Sequence, residues 1–249
     1  MPTDLLVAWM MVFLRGLGVI MLIPTLGSRP LPPMVRVAIT ALVATLLYGL
    51  VPRAPMPTSN AAFVVAAMGE IMLGLLFGFT GKFVFAAVDM SGRMITQEIG
   101  LSAAPGMDAP SPSTEPLAAF LSTFAGVMFF LLGGHIGALS AFARSFDLAP
   151  AGAPAFSRMA VEYLVSGTAH VIELGFRISA PFIAMNFLIT LAFSVLGRAV
   201  PKMSVFVMSY SLRVMVGFSL LAGAGALVAR YVAPEFKALP YQMLEMVGR

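Results

Sequence analysis

The chain contains no cysteine, which excludes disulfides, thiolate metal sites and thiol catalysis together. It is also poor in charge. Asp, Glu, Lys and Arg make up 10% of 249 residues, whereas a soluble globular domain carries roughly a quarter. That is too little polar material to coat a water-facing surface. Histidine occurs only twice, as His135 and His170, with no His-Glu-x-x-His pattern around either. No Ser-His-Asp order, phosphate-cradling glycine loop or Gly-x-Ser-x-Gly elbow is present. The nearest approach, Gly100-Leu101-Ser102-Ala103-Ala104, lacks the second glycine. The expectation is a protein without catalytic residues, cofactor or metal.

What the chain has in abundance is apolar residues, at 59%, and they are grouped. Leu117 to Ala143 and Ile178 to Gly197 contain no Asp, Glu, Lys or Arg. About 20 such residues cross a hydrocarbon core as a helix, so both runs qualify as membrane spans and the fold class reads as all-α and polytopic. The net charge of +4 comes from basic residues placed singly. Nucleic-acid binders gather Lys and Arg on one face, so nucleic acid is excluded as a partner and membrane lipid is the expected surroundings. Asp4 stands where a signal peptide needs a basic region, and Arg15 interrupts the apolar run behind it, so the start does not read as a cleavable signal.

Proline and glycine punctuate the rest. Leu5 to Leu26 is a first apolar segment, closed by Ser28-Arg29-Pro30-Leu31-Pro32-Pro33. Met34 to Val51 is a second and shorter one, followed by a turn from Pro52 to Asn60. Ala61 to Val88 is the third, with helical pattern continuing through Gln97 and with Glu70, Lys82 and Asp89 on it. Those charges require one side of it to face protein or water. Leu101 to Pro116 breaks the pattern with Pro105, Pro110, Pro112 and Pro116. The fourth segment is Leu117 to Ala143, and a loop follows at Ser145 to Ser157. The fifth begins as the amphipathic stretch Arg158 to Arg177 and becomes fully apolar to Gly197. The sixth runs from Met203 to Val232, and Pro234 to Arg249 reads as a polar-edged tail. No domain boundary and no internal repeat is visible, so residues 1–249 read as one helical domain. Loop charges leave the membrane orientation open.

Three groups of residues stand out. Gly74, Gly78 and Gly81 in the third segment, with Gly133 and Gly137 in the fourth, have the small-residue spacing that lets helix backbones approach closely. They could serve a subunit contact or packing within this chain. Arg15, Glu70, Lys82 and Arg213 sit singly in apolar surroundings, where ionisable groups are costly and take partners or line a wet cavity. An ion relay and a set of static pairs are both open for them. For Glu70 the candidate partners are Arg15, Lys82 or a basic residue of a neighbouring subunit. His170 and Glu173 share a helix face, but a metal site needs further ligands, and a polar pair beside Glu173/Arg177 is the simpler reading.

Several runs, in order, resemble the FliR family of flagellar export-gate proteins and its virulence-secretion counterpart SctT. They are Arg15 with Ser28-Arg29-Pro30-Leu31-Pro32; Glu70-Ile71-Met72-Leu73-Gly74-Leu75-Leu76-Phe77-Gly78; and Ser91 to Ser102. Further on come Gly134-His135, Ser145-Phe146-Asp147-Leu148-Ala149-Pro150, Leu196 to Phe206, and Leu212-Arg213-Val214-Met215-Val216-Gly217. The chain departs from the family at Gly133, where an asparagine is usual, at Ala109, where a proline is, and near Ser211 and Arg213, where Pro and Lys are favoured. The resemblance implies helical hairpins packed into an export-gate assembly in the bacterial inner membrane, at the flagellar basal body. FliP-like, FliQ-like and FlhB-like subunits would be its partners, and unfolded exported proteins its cargo. It also implies a lumenal plug in the central loop, with Leu101, Met107, Asp108 and Pro110 as its residues. The rivals are the equivalent subunit of a virulence secretion machine, a secondary transporter using Glu70 and Lys82, and an intramembrane enzyme around His170 and Glu173.

Overall fold

A proline, serine or glycine stands at most helix boundaries of the computed structural model, which describes residues 2–22, 32–55, 59–101, 116–200 and 205–247. Helix α1 is Pro2–Leu22 and α2 is Pro33–Leu47. Pro33 occupies the first turn of α2, where its missing N–H has no intrahelical acceptor to lose. The Ser59 hydroxyl accepts the Ala62 N–H at 3.2 Å and starts α3, Asn60–Ile99. Gly100, at φ 89°, ends it. Then follow α4 (Pro116–Leu131), α5 (Gly134–Leu148), α6 (Met159–Ala199) and α7 (Val205–Glu245). Among the described residues there is no strand; isolated bridges join Arg53 to Ala151 and Phe156 to Val247. By length and composition α1, α3, α6 and α7 can each cross a membrane, and α4 with α5 can as a bent pair.

The most extensive helix–helix contacts among the described residues converge on α3, which packs against α1, α4, α6 and α7. Paired residues give the directions. Arg15 meets Glu70 and Leu22 faces Gly78, so α1 and α3 run parallel. Met94 lies by Ser179 and Glu98 by Asn186, so α3 and α6 run parallel too. His170 reaches Glu235 and Thr190 reaches Arg213, which makes α6 and α7 an antiparallel hairpin. Phe85 of α3, Phe129 of α4 and Phe236 of α7 interlock with ring centroids 5.2 to 5.9 Å apart. Buried side chains from all seven helices join one apolar cluster around that triad.

Two expectations are corrected. The stretch Leu117 to Ala143 is not one straight helix: α4 and α5 are bent 63° apart. Gly133 sits between them at φ 70°, a conformation that costs glycine little and other residues more. The stretch from Pro234 is not a tail but the continuation of α7. Ala224, Val228, Val232, Phe236, Leu239 and Met243 are buried at every third or fourth position, which is helical spacing. Packing of Phe236, Leu239 and Met243 into the apolar cluster holds the helix through Pro234 and Pro240, each of which on its own costs an interior helix about 3 kcal/mol.

Candidate functional site

Arg15 and Glu70 are both fully buried, and each has the other as its ionic partner. Arg15 Nε donates to Glu70 Oε2 at 2.5 Å and Nη2 to Glu70 Oε1 at 3.0 Å, a two-pronged match of guanidinium to carboxylate. The remaining donors turn toward α5 and its exit. Nη1 donates to Ser145 Oγ at 2.9 Å and Nη2 to the Ala149 carbonyl at 2.9 Å. Glu70 Oε1 also accepts the Gly152 N–H at 2.9 Å. The Phe146 ring lies against the cation, 3.9 Å from Cζ to centroid. One ion pair thus ties α1, α3, α5 and the turn after α5. Gly152 takes φ 92°, which turns its N–H onto the carboxylate. The turn is held from its other side, where Ala54 N–H donates to the Ala151 carbonyl and Ala151 N–H to the Pro52 carbonyl, both at 3.0 Å.

The approach of α1 to α3 that permits this pairing depends on missing side chains. A Cβ added at Gly18 would come within 2.5 Å of the Leu75 backbone nitrogen, and one at Gly74 would strike the Arg15 carbonyl oxygen. At Gly78 it would stand 2.5 Å from Leu22 Cβ. Gly74 and Gly78 therefore pack within this chain, with Gly18 opposite them. Gly137 does the same against Pro240 of α7. Gly133 does not: nothing lies within 4 Å of the place its Cβ would take, and its role is the bend.

The other singled-out residues do not join this cluster. Lys82 is exposed, with its ammonium 5.8 Å from the Phe79 ring centroid. It lies roughly 18 Å farther along α3 than Glu70 at 1.5 Å per residue. Arg213 bonds instead to Thr190 of α6, at 3.1 Å. His170 Nε2 lies 2.9 Å from Glu235 of α7 and Nδ1 3.7 Å from Glu173, which in turn meets Arg177 at 2.5 Å. Among the described residues no group of three potential ligands could hold a metal ion. Leu101 is half-buried and packs on the apolar cluster; Met107, Asp108 and Pro110 lie outside the described residues.

Sequence reasoning missed Gly18, Ser145 as a partner of Arg15, the Ala149 carbonyl, the Gly152 N–H, and Glu235. Gly18 was findable, since it stands on the first apolar segment three residues after Arg15. The backbone acceptor and donor carry no signal in residue type.

A buried, fully partnered ion pair offers neither member to a substrate, and the helices around it are apolar and long. That arrangement defines a polytopic helical membrane protein in which a buried ion pair holds helices together. The chain belongs to the family described as bacterial export proteins, family 1, whose model matches residues 6–239. It is 28% identical over 227 residues to the flagellar biosynthetic protein FliR of Escherichia coli K12, covering 91% of this chain and 87% of that one. To the flagellar biosynthetic protein FliR of Bacillus subtilis it is 27% identical, covering 88% and 86%. To Yop proteins translocation protein T of Yersinia pestis it is 25% identical, covering 83% and 81%.

Proposed function

We propose that residues 1–249 act as one helical, pore-forming subunit of a type III protein export gate of the flagellar kind. The observation that carries this reading is the collinear family match from residue 6 to residue 239, which takes in nearly every helix. Two features of the molecule support it. Large apolar side chains are exposed on α2, α6 and α7, among them Met34, Leu42, Leu46, Leu188 and Met215, as expected of helices that neighbouring subunits or lipid must cover. The buried Arg15–Glu70 pair is placed to hold helices together, which suits a static component better than a relay. In this reading FliP-like, FliQ-like and FlhB-like subunits are the partners, unfolded exported proteins the cargo, and the bacterial inner membrane at the basal body the location. The central loop, with Leu101, Met107, Asp108 and Pro110, would plug the lumen. The reading makes the chain a conduit component and not an enzyme.

The test is co-expression with FliP-like and FliQ-like subunits and purification in mild detergent. A stoichiometric complex is expected, together with restored motility in a flagellated host that lacks its own FliR. A monodisperse chain that ignores both subunits would overturn the reading. The virulence-machine alternative differs in one outcome, restored secretion of effector proteins in place of motility. A secondary transporter would instead drive uptake alone in liposomes, using Glu70 and Lys82; the enclosure of Glu70 by Arg15 and its separation from Lys82 favour the gate.

A further inference from the structure

The hairpin of α6 and α7 holds a second polar group in its apolar half. Arg213 stands eight residues into α7, roughly 12 Å along the helix, and is its only charged residue before Arg230. It lies beside Thr190, inside the uncharged run Ile178 to Gly197 of α6. Among the described residues the guanidinium has only a neutral acceptor. Nη2 donates to Thr190 Oγ1 at 3.1 Å, while the Thr190 hydroxyl spends its own proton on the Asn186 carbonyl at 2.7 Å. Nε is buried with no hydrogen-bond acceptor. Glu98 of α3 is near but already engaged, accepting from Asn186 Nδ2 at 2.6 Å, so neutral Asn186 and Thr190 separate carboxylate from cation. Among the described residues no carboxylate lies within 4.0 Å of Arg213. This contrasts with Arg15, whose guanidinium meets a carboxylate along with a hydroxyl and a carbonyl.

The surroundings indicate what could complete it. Phe187 and Leu191, which flank Thr190 on α6, and Leu220, two turns beyond Arg213 on the same side of α7, are exposed and apolar. A cation set in such a face is unfavourable unless an acid or water reaches it, because hydrocarbon cannot solvate it, and Arg213 Nε is closed off from open solvent. Lipid phosphate is a poorer fit, since the side chain is held across to α6 at the interior of both apolar runs, not extended along α7 toward an interface.

We propose that this face receives an apolar membrane helix of a neighbouring subunit carrying one Asp or Glu, whose carboxylate pairs with Arg213. The inference rests on the gate reading and specifies one of its contacts. A buried pair of opposite charge also fixes register between helices, because the apolar surface alone would tolerate sliding.

The experiment is charge reversal in the co-expressed complex, purified in neutral detergent without added phospholipid. Arg213→Glu should reduce the co-purified partner at least about ten-fold, Arg213→Gln less, and Arg213→Lys less than about two-fold. Arg198→Glu, a reversal at the end of α6, should behave as the parent. Reversing single Asp or Glu residues in the partners' membrane helices to Lys should identify one that restores assembly with Arg213→Glu. Parental assembly of Arg213→Glu overturns the proposal, as do equal losses for Gln and Glu, which mark the Thr190 bond as all that matters. Rescue by Asp108→Lys or Glu115→Lys places the acid in this chain and overturns it too. So does a loss that appears only when anionic lipid is present, which assigns the cation to lipid phosphate. If the parent chain itself captures no partner, the gate reading fails first, and this contact with it.

Discussion

Arg15 and Glu70, 55 residues apart in sequence, meet with no exposed surface on either side chain. Removing one member of such a pair leaves the other charged and without its counterion, which costs about 3–5 kcal/mol. Arg15→Ala and Glu70→Ala should each lower the yield of folded protein and its thermal stability in detergent. The double change Arg15→Met with Glu70→Leu should recover much of the loss, because apolar side chains can replace a buried pair with little penalty. Additive losses in the double variant would show that the pair is not the unit of stability.

The glycine seam makes a separate forecast. At Gly74 an added methyl meets backbone of α1, which cannot rotate away as a side chain can. Gly74→Ala should therefore destabilise by about 1–3 kcal/mol, and Gly18→Ala likewise. Gly49 has nothing within 4 Å of its Cβ position and no positive φ, so Gly49→Ala should be close to neutral. Gly133→Ala should cost about 1 kcal/mol through its left-handed backbone, although space there is free. Thermal melts of the four variants side by side would separate crowding from backbone strain. Equal stability of Gly74→Ala and Gly49→Ala would contradict the seam.

How much of this was readable beforehand depends on the kind of interaction. Apolar runs and proline breaks located six segments, one of which holds both α4 and α5, because both signals act locally. Glu70, Arg15 and the Gly74/Gly78 spacing were visible as oddities in apolar sequence. The choice of Arg15 over Lys82 was not, since it depends on α1 and α3 lying parallel, and direction is not written in composition. The 63° bend at Gly133 was hidden because an apolar run reads the same whether straight or folded. The helix through Pro234 and Pro240 was hidden for the opposite reason: proline is a strong local signal, and tertiary burial of Phe236, Leu239 and Met243 overrode it.

His170 links α6 to α7 through Glu235, and about two-fifths of its side chain, 42%, is exposed. Water competes at such a site, so the contact is worth about 0–1 kcal/mol. His170→Gln and Glu235→Gln should leave assembly intact and shift thermal stability by less than about 1 kcal/mol. Elemental analysis of the purified protein should find no stoichiometric zinc, iron or manganese. Bound metal lost on His170→Gln would reopen the enzyme reading.

The lumenal plug remains the prediction with most functional weight. Gly100 ends α3 in a left-handed turn, and Pro116 opens α4. Gly92 packs against Ala118 and Phe85 against Phe129, so α3 and α4 run antiparallel, with Gly100 and Pro116 at one end of the pair. The sequence of the segment 102–115 carries Pro105, Pro110 and Pro112, which oppose regular helix, and only Asp108 and Glu115 as charges. Irregular backbone at membrane depth is tolerated where it is enclosed by protein or lines a wet cavity. Leu101, packed on the apolar cluster, would anchor one end, and Met107 could adapt to an uneven gap. Deleting Pro105 to Ser113 removes the centre of the segment and spares Gly100, Leu101, Pro116 and the Gly92–Ala118 contact. The complex should then assemble with its usual partners but let small ions through, read as dissipation of a potassium gradient in proteoliposomes. An assembled deletion complex as ion-tight as its parent would assign the segment to an ordinary connection, because the barrier would then lie elsewhere in the gate.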